Sequence, residues 1–475
     1  MHEPVLSQIS TAVPAAKPLP WPSVQRLALS RLFAPVDIAI LAYFRIVFGA
    51  IMLWEVWRYF ERGWIPRYWI DPVLNFTYYG FEWVRPWPGN GMYLHFIALG
   101  ILSLLIMLGW HYRISTILFF LGFTYMFLLE QARYLNHFYL ICLISLLLIF
   151  VPAHRDWSVD AWRRPEWATR LTPAWTLWLL QAQLGIAYFF GGVAKLNGDW
   201  LRGEPMRMWM ARRTDFPLIG HWFTEEWMVY LFSYGGLLLD LLIVPLLIWR
   251  RTRLLAFAAA VMFHLMNARL FTIGIFPWFM IAATAIFFAP DWPRRLIGRW
   301  QTPTSPPLNE LDAGTAPTHL QPRRTVTLVL LGLYLAVQIV LPLRHFAYPG
   351  DVSWTEEGHR FAWHMKLRSK QARAEFIVTE PTRNISWYID PRDYLPRWQE
   401  RKMVTRPDMI LQFSHYLENE LRDQGYEQVE VRAYVEASLN GRDYQLLIDP
   451  EVDLAAERRT LWPAPWIVPL TVPLR

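Results

Sequence analysis

Lys195 closes an apolar stretch, "YFFGGVAKLNGDW" (residues 188–200), in which a glycine pair gives way to a lysine, an asparagine, an aspartate and a tryptophan. A lysine desolvated at a helix end is disfavoured as the ammonium. As the neutral amine it can serve as a general base near neutral pH. A weakly acidic hydroxyl, such as that of a quinol, is a suitable target in a lipid-facing pocket. Other polar residues also stand at the ends of apolar runs: Asn136-His137, His264 with Asn267, and His345. The His264, Asn267 spacing puts both side chains on one helix face. Each of these residues also has a structural reading. Lys195 can be a snorkelling anchor and the histidines satisfied core groups, while Arg45 and Asp240, which fall inside apolar runs, are expected in structural ion pairs. No metal site is expected, because the apolar runs hold no HxxxH or ExxH pair. The single cysteine, Cys142 in "HFYLICLISLLLIF", allows no intramolecular disulfide and reads as a small buried hydrophobe.

The elements that must position these residues are written in the composition. A chain of 475 residues with 54% apolar content, 27 tryptophans and positive mean hydropathy is too apolar and too aromatic for an ordinary soluble protein. Its net charge of +7 does not indicate nucleic acid, since the arginines cluster in short connectors rather than along one basic stripe. Apolar stretches near 36–54, 92–109, 114–130, 136–152, 174–194, 226–249, 254–271, 273–290 and 325–343 predict nine membrane spans. The connectors at 111–113, 154–167, 250–253 and 291–324 carry more Lys and Arg than Asp and Glu. By the positive-inside rule they are cytoplasmic, with the N-terminus on the same side. Residues 1–35 read as a cytoplasmic tail without a cleavable signal peptide. All the polar span ends named above then face outward, where they can line one pocket.

Residues 345–475 change character. In "VEVRAYVEASL", Val429, Val431, Ala433, Val435, Ala437 and Leu439 share one strand face, and Asn440-Gly441 predicts a primed hairpin turn into "RDYQLLID". Met409, Phe413, Leu417 and Leu421 recur every fourth residue between Pro407 and Gly425, which predicts a helix. The expected architecture is an α-helical integral membrane domain of about nine spans (36–344, with 291–324 a cytoplasmic linker), followed by a smaller α+β extramembrane domain (345–475).

Several irregular motifs resemble one family. "YLNHFYLICLISLLLIFVPAHRDWSVD", "AYFFGGVAKLNGDWLRG", "GGLLLDLL", "FHLMNARLFTIGIFPW" and "APDWPRRL" are similar to the vitamin K-dependent γ-carboxylases, as are "YFRIVFGAIML", "LGWHYRIS" and "IDPEVDL". The chain resembles a short, bacterial-type member with an HTTM-like membrane domain. The resemblance implies that Lys195 deprotonates vitamin K hydroquinone or a menaquinol-type hydroquinone. Oxidation of that quinol by O2 to its 2,3-epoxide then generates a base able to take the γ-hydrogen of protein Glu, and CO2 adds to give γ-carboxyglutamate. It also places Asn136 and His137 near the quinol, His345 at the reacting centre, and His264 and Asn267 in support of the pocket. Trp363 belongs to a segment, "EEGHRFAWHMKLRSK", that resembles the glutamate-binding part of the family. Implied partners are the lipid bilayer, the quinol and a Glu-containing protein or peptide, with no nucleic acid and no metal. The implied setting is a bacterial-type inner membrane with the C-terminal domain outward, in the periplasm. The family's paired lysines are represented by Ala194-Lys195, and Gly358, Arg360 and Lys366 replace unlike residues. Two other readings therefore stay open: quinol oxidation without Glu carboxylation, and a non-catalytic binding protein of the same fold.

Overall fold

The computed structural model describes residues 29–271, 273–298 and 321–474. The expected tail as far as residue 28 and the linker at 299–320 lie outside the described residues. In hydrocarbon every backbone N–H and C=O must find its partner within the chain, so each apolar run forms a helix. These are α1 (Ala39–Glu61), α2 (Gly91–Leu108), α3 (Tyr112–Leu128), α4 (Asn136–Phe150), α5 (Ala174–Val193), α6 (Glu226–Ile248), α7 (Arg253–Phe271), α8 (Phe276–Thr284) and α9 (Gln321–Leu343). Six are long and apolar enough to cross a membrane, and α3, α4 and α8 are shorter apolar helices. Among the described residues, each of the nine expected spans thus has its helix.

The ends of two helices differ from the expectation. Helix α1 runs on to Glu61 because Glu55 and Arg58 neutralise one another at 2.5 Å within its last turns. Helix α8 starts only at Phe276, since Gly274 at φ +64° breaks the chain direction and Pro277 occupies the first turn. Among the described residues Arg45 has no ion-pair partner. Its buried guanidinium donates to the carbonyls of Ile106 (2.9 Å) and Met107 (2.5 Å) in the last turn of α2, and to those of Ala153 (3.0 Å) and Trp157 (2.6 Å). The Ile106 carbonyl also accepts from the Gly109 N–H at 3.0 Å, and the negative end of the α2 dipole stands in for a carboxylate.

Beyond α9 the chain builds an antiparallel sheet and a covering helix. The strands β1 (Lys370–Glu380), β2 (Ile385–Ile389), β3 (Glu430–Leu439) and β4 (Gln445–Leu446) stand in the order β2-β1-β3-β4. Helix α10 (Pro407–Asp423) buries Met409, Phe413, Leu417 and Leu421, and β3 buries Val431, Ala433, Val435, Ala437 and Leu439 in the same core. Asn440 and Gly441 both adopt positive φ, as a primed turn requires. The strand after the turn is far shorter than expected. Arg442 reaches away to Asp199 with two bonds of 2.6 and 2.7 Å, so the chain rejoins the sheet only at Gln445, paired with Ala437.

This second domain docks on one end of the helix bundle through polar contacts from the α3–α4 connector. The Glu130 carboxylate accepts from Gln399 (2.8 Å), Asn75 (3.2 Å) and the Ala132 N–H (2.8 Å), while Gln412 donates to Gln131. Burial raises the Glu130 carboxyl to about 7, and these hydrogen bonds offset the rise only in part. A carboxyl with a raised folded pKa favours the docked state at low pH, and that contribution is lost as pH climbs through the folded value. Docking is therefore expected to weaken by about 3 kcal/mol between pH 4 and 8. Hydrogen exchange of β1 and β3 across that range measures it. Glu130→Gln should flatten the dependence while lowering protection throughout.

Candidate active site at the bundle end

The polar residues of "AKLNGDW" are each fixed by a local interaction. The carbonyls at the end of α5 attract a cation, and Lys195 turns its Nζ back to the Gly191 carbonyl at 3.0 Å. Asn197 caps the short helix Gly198–Leu201 by accepting from the Trp200 N–H at 3.0 Å. The Trp200 indole donates to Ser233 O in α6 at 2.9 Å, and its ring lies 5.5 Å from Lys195 Nζ. Asp199 receives Arg442 and Asn440 from the sheet domain, and the sum of these bonds outweighs burial and holds its carboxyl below the usual range.

Lys195 is 6% exposed and forms a 2.6 Å ion pair with Asp240 of α6. The glycine pair makes this possible. A Cβ on Gly192 would lie 2.7 Å from the Leu241 side chain and 3.1 Å from its backbone nitrogen; one on Gly191 would lie 3.4 Å from Asp240 Oδ2. It is the glycine at 192 that lets α5 and α6 approach this closely.

The segment after α9 roofs the same spot. Glu356, Gly358, Phe361, Trp363 and Lys366 all adopt positive φ, so the loop folds back on itself. At Gly358 (φ +69°) a Cβ would sit 2.7 Å from His345 Cα, which leaves no room for a side chain. Met365 reaches Gly191, and Asn136 at the start of α4 donates to the His364 carbonyl at 2.9 Å. His345 Nδ1 lies 2.7 Å from the Pro342 carbonyl. A carbonyl only accepts, so Nδ1 carries the proton and the neutral ring keeps Nε2 as a bare acceptor. The rings of His345 and His364 are 4.7 Å apart, and neither nitrogen of the buried His364 has a protein partner. Trp363, also buried, packs 5.0 Å from Tyr139, with its indole N–H unpaired.

His137 and His264 form a second group, flanking the Phe276 ring at 5.6 and 5.8 Å. His264 Nε2 meets the Tyr188 hydroxyl at 2.8 Å, Tyr188 meets Thr284 at 3.2 Å, and Thr284 donates to Met280 O at 2.7 Å. All three contacts are satisfied only if Tyr188 donates to Thr284 and His264 Nε2–H donates to Tyr188. The buried Nδ1 of His264 is then the free acceptor. Tyr188 and Lys195 are seven residues apart along α5, about 10 Å on one face, so the two groups follow one line. Asn267, three residues beyond His264, is half-buried.

On the sheet-domain side lies a cluster of cations. Glu356 is bound by Arg368 and flanked by His359 (3.3 Å) and Lys370 (4.0 Å), and Arg360 pairs with Asp408 at 2.6 Å. Arg406 makes no carboxylate pair among the described residues. Burial presses its guanidinium down to about 10, and Arg406, together with burial, presses Lys402 down to about 7. Burial also lowers Lys370 to about 7. The two carboxylates do not neutralise these cations. Among the described residues no group of three His, Cys, Asp or Glu side chains is placed to hold a metal ion.

A multi-pass membrane protein whose bundle end is roofed by an α+β domain is the class this architecture defines. Residues 33–292 match the HTTM domain, and residues 323–472 match the lumenal domain of vitamin K-dependent gamma-carboxylase. The chain belongs to this carboxylase family and is a vitamin K-dependent carboxylase-like membrane enzyme. No solved structure matches it.

The structure therefore brings Lys195, His345, Trp363 and Asn136 to one loop, and His137 and His264 to Phe276. Sequence reasoning missed His364, Tyr188 and the identity of the Asp240 partner. Two signals were present, a carboxylate inside an apolar run and a histidine beside Trp363, but neither specifies a contact. Removing one member of a buried ion pair strands the other, so Asp240→Asn should destabilise the protein by about 3–5 kcal/mol. The double replacement Lys195→Met, Asp240→Leu should recover most of that loss. Thermal unfolding in nanodiscs, run as a double-mutant cycle, checks both.

Proposed function

We propose that the protein oxidises a vitamin K or menaquinol-type hydroquinone and carboxylates protein Glu to γ-carboxyglutamate. The observation that carries this reading is the buried Lys195–Asp240 pair beneath the His345 loop, in a chain of this family. The residues fit a neutral aromatic diol. Unpaired polar atoms of His264 and Trp363 are set among the rings of Phe276 and Tyr139, with acceptors and a donor for hydroxyls and flat apolar walls for a ring. When bound, the hydroquinone is converted by O2 to its 2,3-epoxide and supplies a base strong enough to free the Glu γ-carbon for addition of CO2.

The chain's own residues have separable tasks. Lys195 takes the hydroxyl proton, which it can do as the amine once its resting proton has crossed the 2.6 Å bond to Asp240. His345 offers Nε2 as a second acceptor. Asn136 holds the loop through the His364 carbonyl, and His137, His264, Asn267 and Trp363 line or brace the quinol pocket. Arg368, Lys402 and Arg406 attract the carboxylate of the Glu-containing substrate. The membrane domain (36–344) binds the quinol and the α+β domain (345–475) binds the peptide, outside a bacterial-type inner membrane with the N-terminus in the cytoplasm.

Epoxide formation from reduced vitamin K and O2 by the reconstituted protein is the direct test. Lys195→Ala should lower it by at least about a hundredfold; equal rates would show that Lys195 is not the base. Labelled CO2 should enter a Glu-containing peptide, and its absence alongside Lys195-dependent epoxide would mean quinol oxidation without carboxylation. Arg406→Ala should raise KM for the peptide about tenfold, the loss of one charge-assisted hydrogen bond, with kcat little changed.

A further inference from the structure

His364 is 6% exposed, and both of its ring nitrogens are without a protein partner among the described residues. A neutral imidazole carries one N–H and one lone pair, and a buried polar group left dry is destabilising, so native structures almost always supply a partner. Burial, with His345, Arg368 and Lys195 nearby, presses its pKa down to about 3, and the ring is neutral. The ring also has little freedom to turn elsewhere. Trp363 and Lys366 are held at φ +60° and +50°, Asn136 fixes the carbonyl of His364, and the His345 ring stands at 77° to its own. The two orphaned nitrogens thus belong to a preformed arrangement.

The charge decides what class of ligand suits it. A carboxylate finds cations at Arg368, Lys402 and Arg406. A neutral imidazole with one donor and one acceptor matches a hydroxyl, which is likewise both. Met365, the residue after His364, reaches Gly191, whose carbonyl holds Lys195 Nζ at 3.0 Å, so such a hydroxyl belongs to the molecule that Lys195 addresses. We propose that one ring nitrogen of His364 contacts a hydroxyl of the hydroquinone directly, and that this bond selects hydroquinones over rings of the same shape without hydroxyls. This rests on the quinol chemistry proposed above.

The test uses the full chain in nanodiscs and a short-chain 1,4-naphthohydroquinone without O2, followed by tryptophan quenching. The dimethyl ether of the same naphthohydroquinone is measured beside it. Wild type should bind the diol about tenfold more tightly than the ether, the worth of one or two net hydrogen bonds. His364→Phe should bring that ratio near one while its unfolding temperature stays level or rises, because two orphaned atoms are gone. His364→Leu, closer to the imidazole in volume than Phe, is run in parallel so that a packing failure of the larger ring does not decide the outcome. His364→Gln, with a donor and an acceptor, should restore much of the preference. An unchanged ratio in His364→Phe or His364→Leu overturns the proposal, as does failure of wild type to bind the diol. His364-dependent selectivity in a protein that makes no epoxide would leave this inference standing and remove the proposed reaction.

Discussion

The Lys195–Asp240 pair is the contact on which the rest of the site depends. Two opposite charges in apolar surroundings are stable only when their geometry is close and their remaining hydrogen-bonding capacity is used. The 2.6 Å approach and the Gly191 carbonyl meet that condition, and Gly191-Gly192 provides the approach by removing side chains between α5 and α6. With α5 held at this end, the following turn is set by the Asn197 cap. Asp199 then points where Arg442 can reach it, and that bond draws the turn after β3 onto the bundle. One helix crossing thereby fixes Lys195, its ion-pair partner and the placement of the domain above them.

A bundle end alone is open, and a reactive amine there would meet water. The roof comes from the segment after α9, and its shape follows from its backbone. Left-handed residues from Glu356 to Lys366 turn the chain tightly enough to present Trp363, His364 and Met365 downward while Arg360 and Arg368 stay with the sheet domain. Gly358 is the one position there where a Cβ would strike the His345 backbone. The loop consequently separates two kinds of side chain by charge. Neutral imidazoles, an indole and tyrosines face the helices, and cations face the α+β domain. A neutral lipid-soluble ring and an anionic side chain can meet there from opposite sides, each in surroundings that suit it.

Hydropathy made the helices legible because a span must be apolar over its whole length, and the β3 pattern was legible because a half-buried strand alternates. Positions failed to be legible where a side chain's partner lies far along the chain. Arg45 reads as needing a carboxylate, yet helix-end carbonyls from α2 satisfy it. Asp240 reads as a structural charge, and only the crossing of α5 with α6 reveals that its partner is the lysine. The shortened β4 follows from Arg442 leaving the ladder for a residue more than two hundred positions away. His364 was invisible for a related reason: its placement depends on a run of left-handed residues, mostly not glycine, that no local propensity announces.

A general base held in an ion pair appears self-defeating, since the resting ammonium has no lone pair to offer. The geometry of the pair removes the difficulty. A proton moved along the Nζ–Oδ2 line would leave a neutral amine beside a neutral acid, and desolvation, which penalises both ions together, works against the charged pair. Binding a bulky apolar ring over Lys195 would exclude water further and narrow the gap. If the amine then takes the ring's hydroxyl proton, the new ammonium stands beside the neutral acid and the ring oxygen carries the negative charge. In the proposed reaction Asp240 would hold a proton as well as anchor the helix, and the 2.6 Å approach would keep the exchange within one hydrogen bond.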